Sequence, residues 1–311
     1  MARRKFPGIP AEGAKTAGMP GFIKPQLATL KARAPSGDQW LNEIKYDGYR
    51  VQLHASGGHA RAYTRNGLDW TKRFAAIAKA LDIPGQAIFD GEAVVIEESR
   101  TNFSELQSAL AAGRQGRIEY YAFDLLYLDG YDLRAVAQIE RKRLLKDLFD
   151  TRGLKTPLHY SEHIAGKGAE MFEHAAKLNW EGIVSKDRAA PYRSDRNEGW
   201  IKVKTAKRGT FPVVGFIKDP TGVAALYLGR CEGGELVYMG KVGTGWSRTA
   251  SSKIRKQLDT AVTAKSPLTK PVRKPKATWV EPRFAAEVEY RDITSEGLLR
   301  QSSFKGLVKD G

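Results

Sequence analysis

The sequence predicts an α+β fold in two parts, a sheet-and-helix domain followed by a small β-barrel of the OB type. Two observations lead there. Short β-rich runs and amphipathic helices alternate irregularly as far as about residue 205, which suits α+β better than a doubly wound parallel sheet. The remaining stretch carries four or five strand-like runs with little helix and many basic residues, the texture of a small barrel that binds nucleic acid.

In chain order, residues 1–21 are rich in Gly, Pro and Ala without periodicity and read as a flexible leader. Residues 41–44 and 49–54 flank Asp47-Gly48, a turn signal between strand-like runs. Residues 86–89 and 93–96 flank Asp90-Gly91 in the same manner. Further strands are expected at 119–128, 182–186 and 200–204. Helices are expected at 71–81, 103–111 behind an Asn102 cap, 138–149 and 169–178. The texture changes at 206–210, so residues 22–207 form the first domain and 208–311 the second. There, strands are expected at 211–217, 224–230, 236–241 and 285–293, with Gly233-Gly234 closing a hairpin. A short helix at 253–258 and a Pro/Lys-rich connection at 266–278 complete it, and no internal repeat is visible.

The composition narrows the function. A net charge of +16 over 311 residues points to a polyanionic partner, nucleic acid before an anionic membrane surface. The surplus is concentrated: residues 208–311 hold 18 Lys and Arg against 10 Asp and Glu, and residues 253–276 hold eight basic residues and one acid. A single basic run is ordinarily a solvated face, but this one adds to a whole-chain excess, which favours contact with a phosphate backbone. No apolar run reaches the roughly 18 residues of a membrane span. The basic N-terminus lacks an apolar segment behind it, which argues against secretion. The lone Cys231 excludes an intramolecular disulfide framework and a four-cysteine zinc module. A reducing cytoplasm fits.

The chemistry centres on Lys45, in Glu43-Ile-Lys-Tyr-Asp-Gly-Tyr-Arg50. A lysine acts as a nucleophile only when neutral, so neighbouring cations, a metal or desolvation must depress its pKa. Alone, K-x-D-G is a weak pattern. Five further segments follow it in order: Thr64-Arg-Asn-Gly67, Asp90-Gly-Glu92, Tyr121-Ala-Phe-Asp124, Glu181-Gly-Ile-Val-Ser-Lys186 and Trp200-Ile-Lys-Val-Lys204. The series resembles the covalent nucleotidyltransferases, the superfamily of ATP-dependent DNA ligases, RNA ligases and mRNA capping enzymes, across the chain from about residue 22. Phe22-Ile-Lys-Pro-Gln-Leu-Ala-Thr-Leu30, Trp40-Leu-Asn-Glu-Ile-Lys45 and Leu299-Arg-Gln-Ser-Ser-Phe-Lys-Gly306 narrow the likeness to bacterial ATP-dependent DNA ligases of the end-joining type, ligase C or the ligase domain of ligase D.

The resemblance implies an antiparallel-sheet nucleotidyltransferase domain and an OB-fold domain, with ATP as the AMP donor and Mg²⁺ or Mn²⁺ as the metal. It implies that Lys45 takes AMP, passes it to the 5′-phosphate of nicked or broken double-stranded DNA, and that the 3′-hydroxyl then seals the strand. Glu43 and Ile44 would lie near the base, with Phe123 stacked on it. Arg50 and Arg65 would meet phosphate or ribose. Glu92 would bind the ribose and, with Glu181, the metal. Asp47 and Asp90 are expected to fix turns. Lys186, Lys202 and Lys204 would reach phosphates, the last two from one face of a strand because Ile201 and Val203 alternate with them. Trp200 would pack beneath the site. Arg300 and Lys305 would orient pyrophosphate, although Val308 stands where the family carries a second basic residue. A monomer suits such a clamp, with end-joining repair proteins as partners. The rivals are a GTP-dependent capping enzyme, an RNA ligase and a non-enzymatic DNA clamp.

Overall fold

The computed structural model describes residues 11–270, 272–274, 276–294 and 296–309. The chain forms two compact units, Met1–Thr205 and Ala206–Gly311. Of the expected leader, residues 1–10 lie outside the described residues, while Lys15–Thr16 pairs with Tyr131–Asp132 at a sheet edge.

The first unit is built on two sheets. The larger runs in the order Lys15–Thr16, Tyr131–Asp132, Glu119–Leu128, Gln86–Val94, Tyr49–Ser56, His59–Thr64, with Leu158–Tyr160 parallel to Glu119–Leu128. The smaller runs His163–Ala165, Trp40–Ile44, Gly182–Asp187, Arg196–Lys204, Leu27–Leu30. Pairing is otherwise antiparallel except between Arg196–Lys204 and Leu27–Leu30. Alternation decides which residues are buried. Leu53, Phe89, Tyr120 and Leu125 of the larger sheet pack against Ile77, Leu106, Leu144 and Leu148 from the helices, and each such large side chain stabilises the fold by roughly 2 kcal/mol. Ile88, Phe123, Tyr127 and Trp200 form a second apolar layer, and Ile183, Ile201 and Val203 pack beneath the helix Gly168–Lys177.

Several expectations are met. The helix Phe103–Ala111 starts where predicted, with the Asn102 side chain accepting from the Glu105 N–H at 3.1 Å. Gln138–Arg152 extends one turn beyond its predicted end. The helix expected at 71–81 shortens to Ala75–Ala80, with residues 71–74 in turns before it.

The Asp90-Gly91 turn is a misreading. Gln86–Val94 is one continuous strand, with Asp90 fully buried in it. Gly91 is there for packing: a Cβ would lie 2.4 Å from the Tyr120 ring, and the register against Glu119–Leu128 shifts at this point. Asp47-Gly48 is a connection of a different kind from a hairpin, since Trp40–Ile44 and Tyr49–Ser56 belong to different sheets.

The second unit is a small OB-type β domain. Its sheet follows the order Glu235–Val242, Gly222–Glu232, Lys207–Asp219, Phe284–Tyr290, Ser303–Lys309. The strand Lys207–Asp219 bends so that its first half pairs with Phe284–Tyr290 and its second with Gly222–Glu232 and Ala277–Trp279. Phe216, Leu226, Leu228 and Met239 pack against Ile254 and Leu258 of the helix Arg248–Leu258. The strand expected at 285–293 breaks after Tyr290, and Asp292–Ile293 turns away to pair with Leu299–Arg300. Among the described residues, no helix is long and apolar enough to cross a membrane.

Candidate active site

Lys45 lies where the chain leaves the smaller sheet and crosses to the larger one. Its N–H donates to the Gly182 carbonyl at 2.9 Å. Gly182 has a φ of 141°, and a Cβ there would come within 2.0 Å of the Val203 carbonyl, so this close approach requires glycine. The Lys45 ammonium donates to one oxygen of Glu181, and the Lys204 ammonium lies 3.4 Å from the other. Glu181 is 4% exposed, whereas the Lys45 side chain keeps 20% of its surface open.

Lys45 opens onto a cleft whose lining includes Glu43, Ile44, Arg50, Arg65, Glu92, Phe123, Lys186 and Lys202. These residues are brought together from six separate stretches of sequence. The cleft's charge favours an anion. Lys202 is held below the ordinary lysine value by burial, then by the nearby Lys45, Arg196 and Lys204. Glu181 offsets that crowding only in part.

Glu92 reaches the cleft from the strand that Asp90 shares. Burial pushes its carboxyl up to about 7, against the pull of Lys45 and Arg50 and with the push of Glu181. Arg50 grips Asp90 through two hydrogen bonds of 2.6 Å, and its guanidinium lies 4.7 Å from the centre of the Phe123 ring. Burial alone would make that guanidinium easier to deprotonate, but the Asp90 carboxylate overrides it and keeps it charged. Arg65 is exposed at the turn after His59–Thr64.

The floor of the cleft is a buried charge network. Glu43, 2% exposed, accepts from the Ser161 hydroxyl at 2.9 Å through Oε2, and its Oε1 lies 2.8 Å from Lys186 and 3.3 Å from Lys142. The Lys186 ammonium, expected at a phosphate, also donates to the Phe123 carbonyl at 3.1 Å and lies 4.5 Å from the centres of the Phe123 and Trp200 rings. Trp200 in turn donates to Gln138 Oε1 at 2.9 Å. Burial pulls Lys142 down to about 8, with Glu43 opposing and Lys186 adding to the fall.

Lys202 and Lys204 share a face while Ile201 and Val203 are buried behind them. Arg300 and Lys305 belong to the second unit, where Lys305 lies 3.4 Å from Glu289 and Arg300 accepts the Arg291 N–H through its carbonyl. Val308 pairs with Ala285 across that unit's sheet.

Sequence reasoning missed Asp90, Lys142, Ser161 and Arg196. Arg196 had a signal, since it begins the same strand as Lys202 and lines the cleft. The unbroken apolar runs on both sides of Asp90-Gly91 could have suggested a through-going strand. Lys142 gave none, because nothing in Gln-Ile-Glu-Arg-Lys-Arg separates it from its solvated neighbours.

The family model described as the ATP dependent DNA ligase domain matches residues 25–204, and that of the ATP dependent DNA ligase C terminal region matches residues 219–311. The multifunctional non-homologous end joining protein LigD of Pseudomonas aeruginosa is 39% identical over 97% of this chain and 37% of its own length. The LigD of Mycobacterium tuberculosis is 35% identical over 93% of this chain and 39% of its own length. The chain thus spans well under half of these curated relatives. A solved structure of mycobacterial DNA ligase D complexed with ATP and MES is 34% identical, with a TM-score of 0.56, covering 93% of this chain and 96% of that one. With two family models in series along it, the chain belongs to the ATP-dependent DNA ligase family.

Proposed function

We propose that this ligase carries AMP on Lys45 and uses it to seal 5′-phosphate/3′-hydroxyl breaks during DNA end joining. The observation that supports it best is the meeting of Lys45, Glu181 and Lys204 beside an anion-favouring cleft whose wall carries Phe123. In the first step the Lys45 amine attacks the α-phosphorus of ATP. An N–P bond forms, the P–O bond to pyrophosphate breaks, and the amine's proton leaves to solvent. The 5′-phosphate of the break then displaces Lys45 to form a 5′–5′ pyrophosphate, and the 3′-hydroxyl displaces AMP. Such transfers depend on positioning and electrostatics more than on side-chain acid–base work.

Ile44 and Phe123 would contact the base, with Glu43 beneath it, and Arg65 and Glu92 the ribose. Lys202 and Lys204 would counter charge on the phosphates, joined by Arg50, and Lys186 would hold Phe123 and Glu43 in place from below. Arg300 and Lys305 would orient the pyrophosphate. The carboxylates of Glu92 and Glu181 fit a divalent cation: among the described residues no cage of three or more ligands exists, and Mg²⁺ commonly takes one or two carboxylates with the rest from phosphate and water. Mg²⁺ or Mn²⁺ bound there would neutralise phosphate charge. The basic second unit would lie on duplex DNA. A monomer acting in the cytoplasm on nucleoid DNA, alongside end-joining proteins, completes the reading.

Labelled ATP, GTP and NAD⁺ distinguish the donors. A covalent adduct from ATP alone, absent in Lys45→Ala, supports the proposal, and sealing of nicked DNA in preference to nicked RNA supports the polymer. An adduct from GTP, or none from any donor, would sink it.

A further inference from the structure

The chain crosses between the two sheets of the first unit at residues 45–48 and again at 161–162. The second crossing is bonded to the strand Trp40–Ile44 that leads into the first. Ser161 donates its hydroxyl to Glu43 at 2.9 Å, and its carbonyl accepts from the Lys142 ammonium at 2.5 Å. That same ammonium lies 3.3 Å from Glu43 and 4.2 Å from the centre of the Tyr160 ring. Ser161 is itself fixed, because its N–H donates to the Ala122 carbonyl of Glu119–Leu128 at 2.8 Å.

Ser161 and Lys142 are fully buried and Glu43 nearly so, and neither Ser161 nor Lys142 lines the cleft. They are therefore in no position to touch the nucleotide. Apolar residues of similar volume commonly serve stability as well as a buried ion pair does, so stability alone gives little reason for a buried lysine here. What the pair does is geometric. It ties the strand Trp40–Ile44, whose next residue is Lys45, to the larger sheet that carries Arg50, Glu92 and Phe123.

We infer that Lys142 and Ser161 are positioning residues for the nucleophile, fixing residues 43–45 through Glu43 so that the Lys45 amine meets the cleft in one orientation. The inference rests on the reading of Lys45 as the residue that takes AMP. Misplacing a reacting group by about 1 Å can cost roughly a hundredfold in rate, so a lost tether should be visible in the first step.

The test separates steps. Sealing of a nick that already carries a 5′-adenylate does not use the Lys45 amine, whereas self-adenylylation does. With the full chain, Ser161→Ala and Lys142→Met should lower the single-turnover adenylylation rate constant at least about tenfold, with half-saturating ATP and sealing of pre-adenylylated nicks both within about threefold of wild type. Ser161→Thr, which keeps the hydroxyl, should recover most of the rate. Equal losses in both steps, or wild-type adenylylation in both variants, would overturn the inference while leaving Lys45 as the adduct site. A wild-type chain that forms no adduct from ATP would overturn the reading of Lys45, and this inference with it.

Discussion

The guanidinium of Arg50 and the carboxylate of Asp90 meet edge to edge, through two hydrogen bonds of 2.6 Å. Tyr192 donates to the same carboxylate at 2.7 Å, and Asp90 has no exposed surface. One buried acid thus holds an arginine against the ring of Phe123, on the wall of the cleft beside Lys45.

Asp90→Asn keeps the shape and removes the charge, leaving Arg50 largely buried without its counter-ion. Breaking such a pair from one side should reduce unfolding free energy by about 3 kcal/mol, read as a lower urea midpoint. Because Arg50 lies over Phe123, ATP should also bind more weakly, with half-saturation of adenylylation rising.

Glu181→Gln leaves the Lys45 and Lys204 ammonium groups without the carboxylate that they share. Self-adenylylation should fall by roughly a hundredfold, the scale of losing one electrostatic partner at a reacting centre. Single-turnover labelling would show this, with stability changed far less than in Asp90→Asn.

Gly182→Ala forces a Cβ toward the Val203 carbonyl, 2.0 Å away. That atom is backbone, so the strands Gly182–Asp187 and Arg196–Lys204 must part locally. We expect a loss of about 3 kcal/mol or more together with slower adenylylation, since the Gly182 carbonyl receives the Lys45 N–H. Thermal melts and labelling of the same preparation would check both.

His54 supplies a pH dependence. Its ring is buried, with Nε2 2.7 Å from Gln52 Oε1, and burial holds it down to about 4 from the ordinary 6.5. The folded state therefore resists protonation while the unfolded chain accepts it. Its stabilising effect is complete above pH 6.5 and is lost as pH falls toward 4, a change of about 3 kcal/mol. His54→Leu should flatten the melting curve over that window, and an unchanged slope would refute the assignment.

The sequence disclosed the site more fully than the scaffold beneath it. Lys45, Glu92, Phe123, Glu181 and Lys202 each stand in short ordered motifs, so the family resemblance could point to them directly, and alternation alone put Lys202 and Lys204 on one face. Asp90 was misread because Asp-Gly is strong turn chemistry, and only tertiary contact reveals that Arg50 and Tyr192 satisfy the buried acid. Lys142 and Arg141 were illegible for a related reason. They stand early in a helix crowded with charged residues, and both are fully buried against partners distant in sequence, Glu43 and Asp124. Periodicity reports apolar faces and is blind to a buried ion pair. In the second unit, Phe304 is the one buried residue of Ser303–Lys309, too little patterning to mark a strand.

The single carboxylate between Lys45 and Lys204 has a consequence for the loaded enzyme. Before reaction the three groups together carry one net positive charge. Once AMP is attached, the Lys45 charge is gone and the phosphoramidate brings a negative charge of its own, so the same trio carries one net negative charge. Glu181 then faces an anion where it had faced a cation. On the proposal that Lys45 takes AMP, this one contact would turn from attraction to repulsion while the surrounding cations still favour the phosphate, and the repulsion would favour discharge onto the DNA end.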